Sequence, residues 1–161
     1  MSKVVFRVDD RLIHGQVIEG WVHNLGLTRI IIVSDKVKND TMYLNMLKFS
    51  VPEEIIVDVF GIKEMSEKNK NGYLDNEDTI ILFENPRDVI SLIDYGVDIK
   101  NLNVGCMHYD GKNRQIRKNI AVSEDNIKDF MDINAMGTKI ETRSLPHDKE
   151  VNLVDLLKDI K

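Results

Sequence analysis

Short apolar runs alternate along the chain with longer segments of helical periodicity. The runs predicted as strands are VVFRV (4–8), IIIV (30–33), EIIVDVF (54–60), TIILFE (79–84) and NLNVG (101–105). Most are apolar at consecutive positions, which is typical of strands buried on both faces of a parallel sheet. We therefore predict the α/β fold class, with a single open, mostly parallel β-sheet and helices on both faces.

The segments between these runs predict helices. In the first, Ile18, Trp21, Val22 and Leu25 follow helical spacing, and Gly26 comes where a helix commonly ends. Further helices are predicted over about 40–49, 62–70, 86–95, 123–136 and 151–160. After Cys106 a polar loop (107–115) precedes two predicted strands, QIRKNIAV (115–122) and TKIETRS (138–144), so we expect a late antiparallel strand.

Composition narrows the classes of protein that fit. The 161 residues show no linker or repeat, so we expect one domain, residues 1–161. The net charge of −5 argues against a general binder of nucleic acid or anionic membranes. The single cysteine, Cys106, excludes an internal disulfide and a cysteine-rich zinc site. No run approaches the ~20 apolar residues of a membrane-spanning helix, so no direct membrane insertion is expected.

The stretch DDRLIHGQV (9–17) lies where the first strand ends. It contains two aspartates, an arginine and a histidine within six residues. Ligands of open α/β sheets bind beyond the carboxyl ends of the strands, and the N–H groups at the next helix start attract anions there. Arg11 can add charge-assisted hydrogen bonds, and Gly15 permits a close approach to the backbone. These features predict a phosphate site around the nucleophilic imidazole of His14.

The two aspartates before Arg11 have several interpretations. Asp9 or Asp10 can orient Arg11 or hold the second ring nitrogen of His14, and either can equally cap the helix. The whole stretch also fits a plain helix start with a solvent-facing histidine. The residues alone leave these alternatives open.

Several motifs resemble one protein family. RVDDRLIHGQV closely resembles the signature of the IIB component of the mannose–fructose–sorbose family of bacterial sugar phosphotransferase systems. RIIIVSDKVKND, LFENPRDV, LNVGCM with GKNRQI, and ETRSLPHD resemble later family motifs in the same order. The first motif is long and specific, and the likeness covers nearly the whole chain. Cys106 departs from it, because many relatives carry glycine or asparagine there.

The resemblance implies a cytoplasmic phosphocarrier enzyme that is peripheral to the membrane and uses no cofactor or metal. His14 would take a phosphoryl group on its δ (pros) nitrogen from a IIA partner on a separate polypeptide. It would then pass the group to a sugar bound by the membrane components IIC and IID. The resemblance assigns Arg11 to phosphate stabilisation, and its later motifs place Asn85 and Gly105 in phosphate or loop binding. From the residues of the first motif we also expect Asp10 as an orienting group and Gly15 and Gln16 in phosphate binding.

Two other classes of phosphorylated protein share part of this pattern. A receiver-type signalling domain would be phosphorylated on Asp58, but that residue lies inside its strand instead of at the end. A histidine phosphatase or mutase would carry Arg-His-Gly, whereas here Leu12 and Ile13 separate Arg11 from His14. Both remain weaker than the phosphocarrier hypothesis.

Overall fold

A computed structural model describes residues 2–160, and within them six parallel strands form the central sheet. The eight strands are β1 (Val4–Asp9), β2 (Arg29–Val33), β3 (Ile56–Phe60), β4 (Thr79–Phe83), β5 (Asn101–Cys106), β6 (Arg114–Arg117), β7 (Ile120–Val122) and β8 (Lys139–Glu141). The sheet has the order β3-β2-β4-β1-β5-β8, and β6 and β7 form a separate antiparallel pair. The predicted α/β fold class is confirmed.

The strand order creates a crevice above β1 and β4, which are neighbours in the sheet. The chain leaves β1 for β2 on one side, whereas it leaves β4 for β5 on the other. In open α/β sheets ligands bind where the connections diverge in this way. The loop that follows β1 therefore lies at the expected position of a site.

Burial on both faces explains the apolar strands. Every residue of β2 and of β4 is buried. Ile31 and Phe83 belong to one core, while Ile30, Ile32 and Leu82 belong to the other. Because the sheet is covered on two sides, consecutive positions of these strands are removed from water, each isoleucine contributing about 1.5–3 kcal/mol.

Five of the six α-helices within residues 2–160 match predicted segments, with small differences at their ends. They are α1 (Asp35–Lys38), α2 (Thr41–Phe49), α3 (Ile62–Lys70), α4 (Pro86–Asp94), α5 (Glu124–Ala135) and α6 (Leu153–Lys158). Asp40, Asn85 and Ser123 cap α2, α4 and α5 by accepting hydrogen bonds from backbone N–H groups three residues later. The short α1, capped by Ser34, was not predicted. No helix within residues 2–160 is long and apolar enough to cross a bilayer.

The helix after β1 differs from a regular α-helix. Gln16–His23 is a π-helix, and a Cβ at Gly20 would overlap the side chain of Leu145. π-Helical turns are rare and occur often at functional sites. The absence of a side chain at Gly20 thus lets the segment around Leu145 pack directly on this helix.

Two predicted strands near the end of the chain are corrected. Residues 115–122 form no single strand, because a turn at 118–119 divides them into β6 and β7. Of residues 138–144, only Lys139–Glu141 is a strand, and it pairs in parallel with β5. The late antiparallel pairing is therefore the β6–β7 hairpin.

Candidate active site

Residues 9–15 form a tight loop between β1 and the π-helix. Leu12 donates its backbone N–H to the Asp9 carbonyl at 2.9 Å and adopts a positive φ of 57°. Such a conformation costs a bulky residue about 1–3 kcal/mol. The Leu12 side chain is fully buried, and that burial offsets the cost. The loop therefore fixes the position of His14 at the carboxyl ends of the strands.

His14 is oriented by the carboxylate of Asp9. Its Nε2 lies 2.7 Å from Asp9 Oδ2, and the Asp9 side chain is fully buried while that of His14 is 9% exposed. An ionised carboxylate only accepts hydrogen bonds, so Nε2 carries the hydrogen and donates it. In the neutral ring, Nδ1 then has the free electron pair, and it makes no hydrogen bond to residues 2–160.

Arg7 is the buried counter-charge of Asp9. Its Nη2 and Nε lie 3.1 and 3.3 Å from Asp9 Oδ2, and both side chains are completely buried. Burial lowers the pKa of Arg7 from its ordinary value, and the negative charge of Asp9 opposes this effect. The sequence analysis missed Arg7, although an arginine inside the apolar run VVFRV was a signal for a buried ion pair.

The side chain of Asp10, for which an orienting role was expected, contacts His108. Its Oδ2 accepts hydrogen bonds from the backbone N–H of His108 at 2.8 Å and from His108 Nδ1 at 2.6 Å. The ring of His14 is held by Asp9 instead. Asp9 thus holds the second ring nitrogen of His14, which was one of the alternatives left open. Asp10 instead holds the loop after β5.

Arg11 combines a fixed backbone with a free side chain. Its N–H donates to Asp9 Oδ1 at 3.0 Å, while Oδ2 of Asp9 contacts His14 and Oδ2 of Asp10 contacts His108. The residue is exposed, and its side chain forms no ion pair with residues 2–160. This guanidinium is available to an anion next to His14.

Gly15 and Gln16 begin the helix beside His14. Gly15 has a helical φ of −51°, and no atom lies within 4 Å of the position that a Cβ would occupy. Neither the backbone conformation nor packing within the protein therefore requires glycine at this position. Gln16 Oε1 accepts a hydrogen bond from Arg7 Nη2 at 2.8 Å. Gln16 is therefore joined to the Arg7–Asp9 pair, and Gly15 leaves room above the helix start.

Asn85 and Gly105 have contacts other than the expected phosphate or loop binding. Asn85 Oδ1 accepts from the Asp88 N–H at 3.0 Å and caps α4. A Cβ at Gly105 would overlap the guanidinium of Arg7. Glycine at position 105 therefore makes room for the buried cation.

Cys106 lies beside the two aspartates, but the three residues are poorly suited to hold a metal ion. Oxygens of Asp9 and Asp10 and the thiol sulfur lie within 4.8 Å of one another. Asp9 already binds Arg7, His14 and the Arg11 N–H. Burial, followed by the charges of Asp9 and Asp10, raises the pKa of Cys106 to about 11, which disfavours the thiolate that binds metals.

The position of Asp58 disfavours the receiver hypothesis. It lies in the middle of β3, one of the two edge strands of the sheet, and its Oδ2 accepts a hydrogen bond from the Tyr73 hydroxyl at 2.5 Å. A phosphoacceptor aspartate would need to face the carboxyl edge of the sheet, where His14 lies.

Fold and site together define an open α/β protein with a histidine-centred site where the strand connections diverge. The family model described as PTS system sorbose subfamily IIB component matches residues 3–161. The chain belongs to this family, the IIB components of sugar phosphotransferase systems of the sorbose, mannose and fructose type. IIB components of this kind are phosphotransferases.

Individual relatives and solved structures agree with this assignment. The fructose-specific EIIB component of Bacillus subtilis is 35% identical over 99% of this chain and 98% of its own length. The mannose-specific EIIAB component of Escherichia coli is 35% identical over 96% of this chain, which covers 48% of that protein. The IIBSor domain of the Klebsiella pneumoniae sorbose permease has a TM-score of 0.90 at 31% identity, covering 100% of this chain and 99% of that structure.

Proposed function

We propose that this chain is the phosphocarrier of a bacterial sugar phosphotransferase system. It accepts a phosphoryl group from the phosphohistidine of a IIA protein on Nδ1 of His14. It then transfers the group to a sugar bound by the membrane components IIC and IID. The observation that carries this proposal is the contact of His14 Nε2 with Asp9 at 2.7 Å, which leaves Nδ1 as the nucleophilic nitrogen.

In the accepting step the electron pair of His14 Nδ1 forms the new N–P bond. The N–P bond of the donor breaks, and its electron pair returns to the donor imidazole. Nε2 keeps its hydrogen and its hydrogen bond to Asp9, which stabilises the positive charge that develops on the ring. In the second step the sugar hydroxyl oxygen attacks phosphorus, and the N–P electron pair returns to Nδ1 while the hydroxyl proton is released.

The surroundings of His14 suit a phosphoryl group. Phosphoryl transfer depends mainly on positioning and on neutralisation of charge. The exposed guanidinium of Arg11 and the backbone N–H groups at the start of the π-helix supply positive potential. The open space at Gly15 leaves room for the phosphoryl oxygens. We assign Arg11 the role of phosphate stabilisation on these grounds.

We further propose where in the cell the protein works. Residues 1–161 act as one IIB domain, in keeping with the family match over 3–161. The domain works in the cytoplasm and reaches the membrane only through IIC and IID. The net charge of −5 fits a carrier that docks on partner proteins more than one that binds anionic lipid directly.

The test is phosphorylation of the purified protein by a phosphorylated IIA protein of the mannose family. We expect a mass gain of one phosphoryl group, located on His14, that survives alkali and is lost in acid. His14→Ala should abolish the gain. His23→Ala is the matched control, because His23 is an exposed histidine of the π-helix that pairs with Glu19, and it should be labelled normally.

Two outcomes would overturn the proposal. Labelling of His14→Ala at the wild-type level would place the phosphoryl group on another residue. A label that hydroxylamine removes would indicate an acyl phosphate on an aspartate, as a receiver domain would carry.

A further inference from the structure

We propose that Arg7 is a positioning residue for phosphoryl transfer, and that Gly105 is glycine because the Arg7 guanidinium occupies the space of its side chain. This inference rests on the proposed function of His14 and concerns a residue that acts on His14 indirectly. Arg7 does not contact the imidazole. It acts through Asp9, whose charge and orientation decide which nitrogen of His14 has the free electron pair.

Three nitrogen atoms lie within hydrogen-bond distance of one carboxylate oxygen of Asp9. Asp9 Oδ2 receives His14 Nε2 at 2.7 Å together with Nη2 and Nε of Arg7 at 3.1 and 3.3 Å. Asp9 is completely buried, and a buried carboxylate without a counter-charge is costly. The guanidinium therefore makes it possible for Asp9 to remain ionised behind the ring.

Loss of Arg7 would harm the site in either of two ways. If Asp9 took up a proton, it would no longer be a fixed acceptor for the Nε2 hydrogen, and the ring could carry its hydrogen on Nδ1. If Asp9 stayed ionised, it would favour the doubly protonated ring of His14 more strongly than it does beside Arg7. Both results lower the fraction of His14 that has a free electron pair on Nδ1.

The position of the guanidinium is fixed by further contacts. Its Nη1 donates to Asn103 Oδ1 at 2.7 Å, its Nη2 donates to Gln16 Oε1 at 2.8 Å, and the group lies 5.1 Å from the ring centre of Trp21. These contacts join β1, β5 and the π-helix. A small displacement of the cation is therefore transmitted directly to Asp9.

Gly105 provides a way to displace the cation without removing it. A Cβ at this position would overlap Cζ and both Nη atoms of Arg7, while the backbone of Gly105 does not lie in the left-handed region. Gly105→Ala thus keeps every charge of the site and forces the guanidinium to move. Arg7→Lys is the second variant, because lysine keeps the charge but lacks the planar fork that meets Asp9 and Gln16 together.

Arg29 is the matched control. It is also a buried arginine on a strand of the same sheet, and it is held by Thr79 Oγ1 at 3.1 Å and the Tyr73 carbonyl at 2.8 Å. It begins β2, so it lies at the edge of the sheet opposite His14. Arg29→Lys should lower the stability of the fold without altering the site.

The experiment measures the His14 ring and the transfer rate separately. Nitrogen NMR of the unphosphorylated protein should show the hydrogen on Nε2 in the wild type and in Arg29→Lys, and a mixture of ring forms in Gly105→Ala and Arg7→Lys. The rate of phosphate acceptance at saturating phosphorylated IIA should fall at least about tenfold in these two variants, with KM within about twofold.

The ring measurement keeps the inference separate from the proposed function, because it requires no phosphorylation. A wild-type ring form together with a wild-type rate in either folded site variant would overturn the role of Arg7. A loss confined to KM, or an equal loss in Arg29→Lys, would likewise reduce Arg7 to a structural residue. Should one site variant fail to fold, the other decides the result.

Discussion

Asp10 Oδ2 accepts two hydrogen bonds from His108, one from its backbone N–H at 2.8 Å and one from Nδ1 at 2.6 Å. The preceding aspartate, Asp9, binds His14 and Arg7 instead. The carboxylates of Asp9 and Asp10, which are consecutive in the sequence, therefore contact different parts of the protein. One holds the imidazole, and the other fastens the loop after β5 to the loop that contains His14.

The contact between Asp10 and His108 should depend on pH. The hydrogen bond and the negative charge of Asp10 raise the pKa of His108 above its ordinary 6.5. A raised folded pKa means that the contact contributes fully below the unfolded pKa and is lost as pH rises through the folded value. NMR titration should therefore give a lower His108 midpoint in Asp10→Asn than in the wild type.

Asp110→Asn is the control for this titration. Asp110 belongs to the same loop as His108. Its charge also raises the pKa of His108, but less than the charge of Asp10 does. Its replacement should move the midpoint less than Asp10→Asn does. Equal midpoints in wild type and Asp10→Asn would contradict the contact.

Arg11→Lys should slow phosphate acceptance while leaving the fold intact. The side chain is exposed and unpaired within residues 2–160, so its replacement should change the free energy of unfolding by less than about 0.5 kcal/mol. Lysine keeps the charge but cannot bind two phosphoryl oxygens through one planar group. We expect the rate to fall about tenfold in a rapid-quench assay with phosphorylated IIA.

Arg117→Lys serves as the control for Arg11. Arg117 is exposed on β6, and its replacement should change neither stability nor rate. If Arg11→Lys transfers phosphate at the wild-type rate, Arg11 is a surface residue without a role in the reaction.

Cys106 should be an unreactive thiol. Burial and the charges of Asp9 and Asp10 raise its pKa from 9.0 to about 11, so the thiolate fraction at pH 8 is about a hundredfold lower than for an ordinary cysteine. Labelling by iodoacetamide should accelerate greatly when the protein is unfolded in urea. It should also accelerate in folded Asp10→Asn, because one of the charges that oppose the thiolate is removed. Equal labelling of folded and unfolded protein would contradict this expectation.

The sequence predicted the sheet well because strand burial leaves a local signal. IIIV at 30–33 is apolar at every position, and the structure buries all of β2. The π-helix is different, because its apolar residues also fit the spacing of an α-helix over two turns. The strand predicted over 115–122 was wrong because the turn at 118–119 contains Asn119 but neither glycine nor proline, which are the strongest turn signals.

From the residues alone, the candidate site was predicted only within the contiguous stretch 9–17. Arg11 and His14 are close in sequence and belong to the first family motif, whereas Asn85 and Gly105 were expected only from the resemblance. Arg7, Asn103 and Gly105 come together only because β1 and β5 are neighbours in the sheet. Contacts between strands about 96 residues apart leave no pattern that a reading along the chain detects.

Asp88 should make the fold more stable at mildly acidic pH than at neutral pH. Burial, followed by the charges of Glu84 and Asp35, raises the pKa of Asp88 from 3.8 to about 6. The folded protein therefore binds this proton more tightly than the unfolded chain does. The resulting cost is absent below about pH 3.8, grows up to about pH 6, and is complete above it.

Asp88→Asn removes this cost, so its stability relative to the wild type should rise by about 1 kcal/mol between pH 4 and pH 7.5 in urea denaturation, after allowance for partial solvent screening. Glu64→Gln is a control of opposite sign. Lys38 lowers the pKa of Glu64, so that carboxylate stabilises the fold above its unfolded pKa and ceases to do so as pH falls. Glu64→Gln should therefore lose stability relative to the wild type as pH rises towards about 4.5, with no further loss above that value. If the stability difference from the wild type changes with pH in the same direction for both variants, burial and nearby charges do not raise the pKa of Asp88.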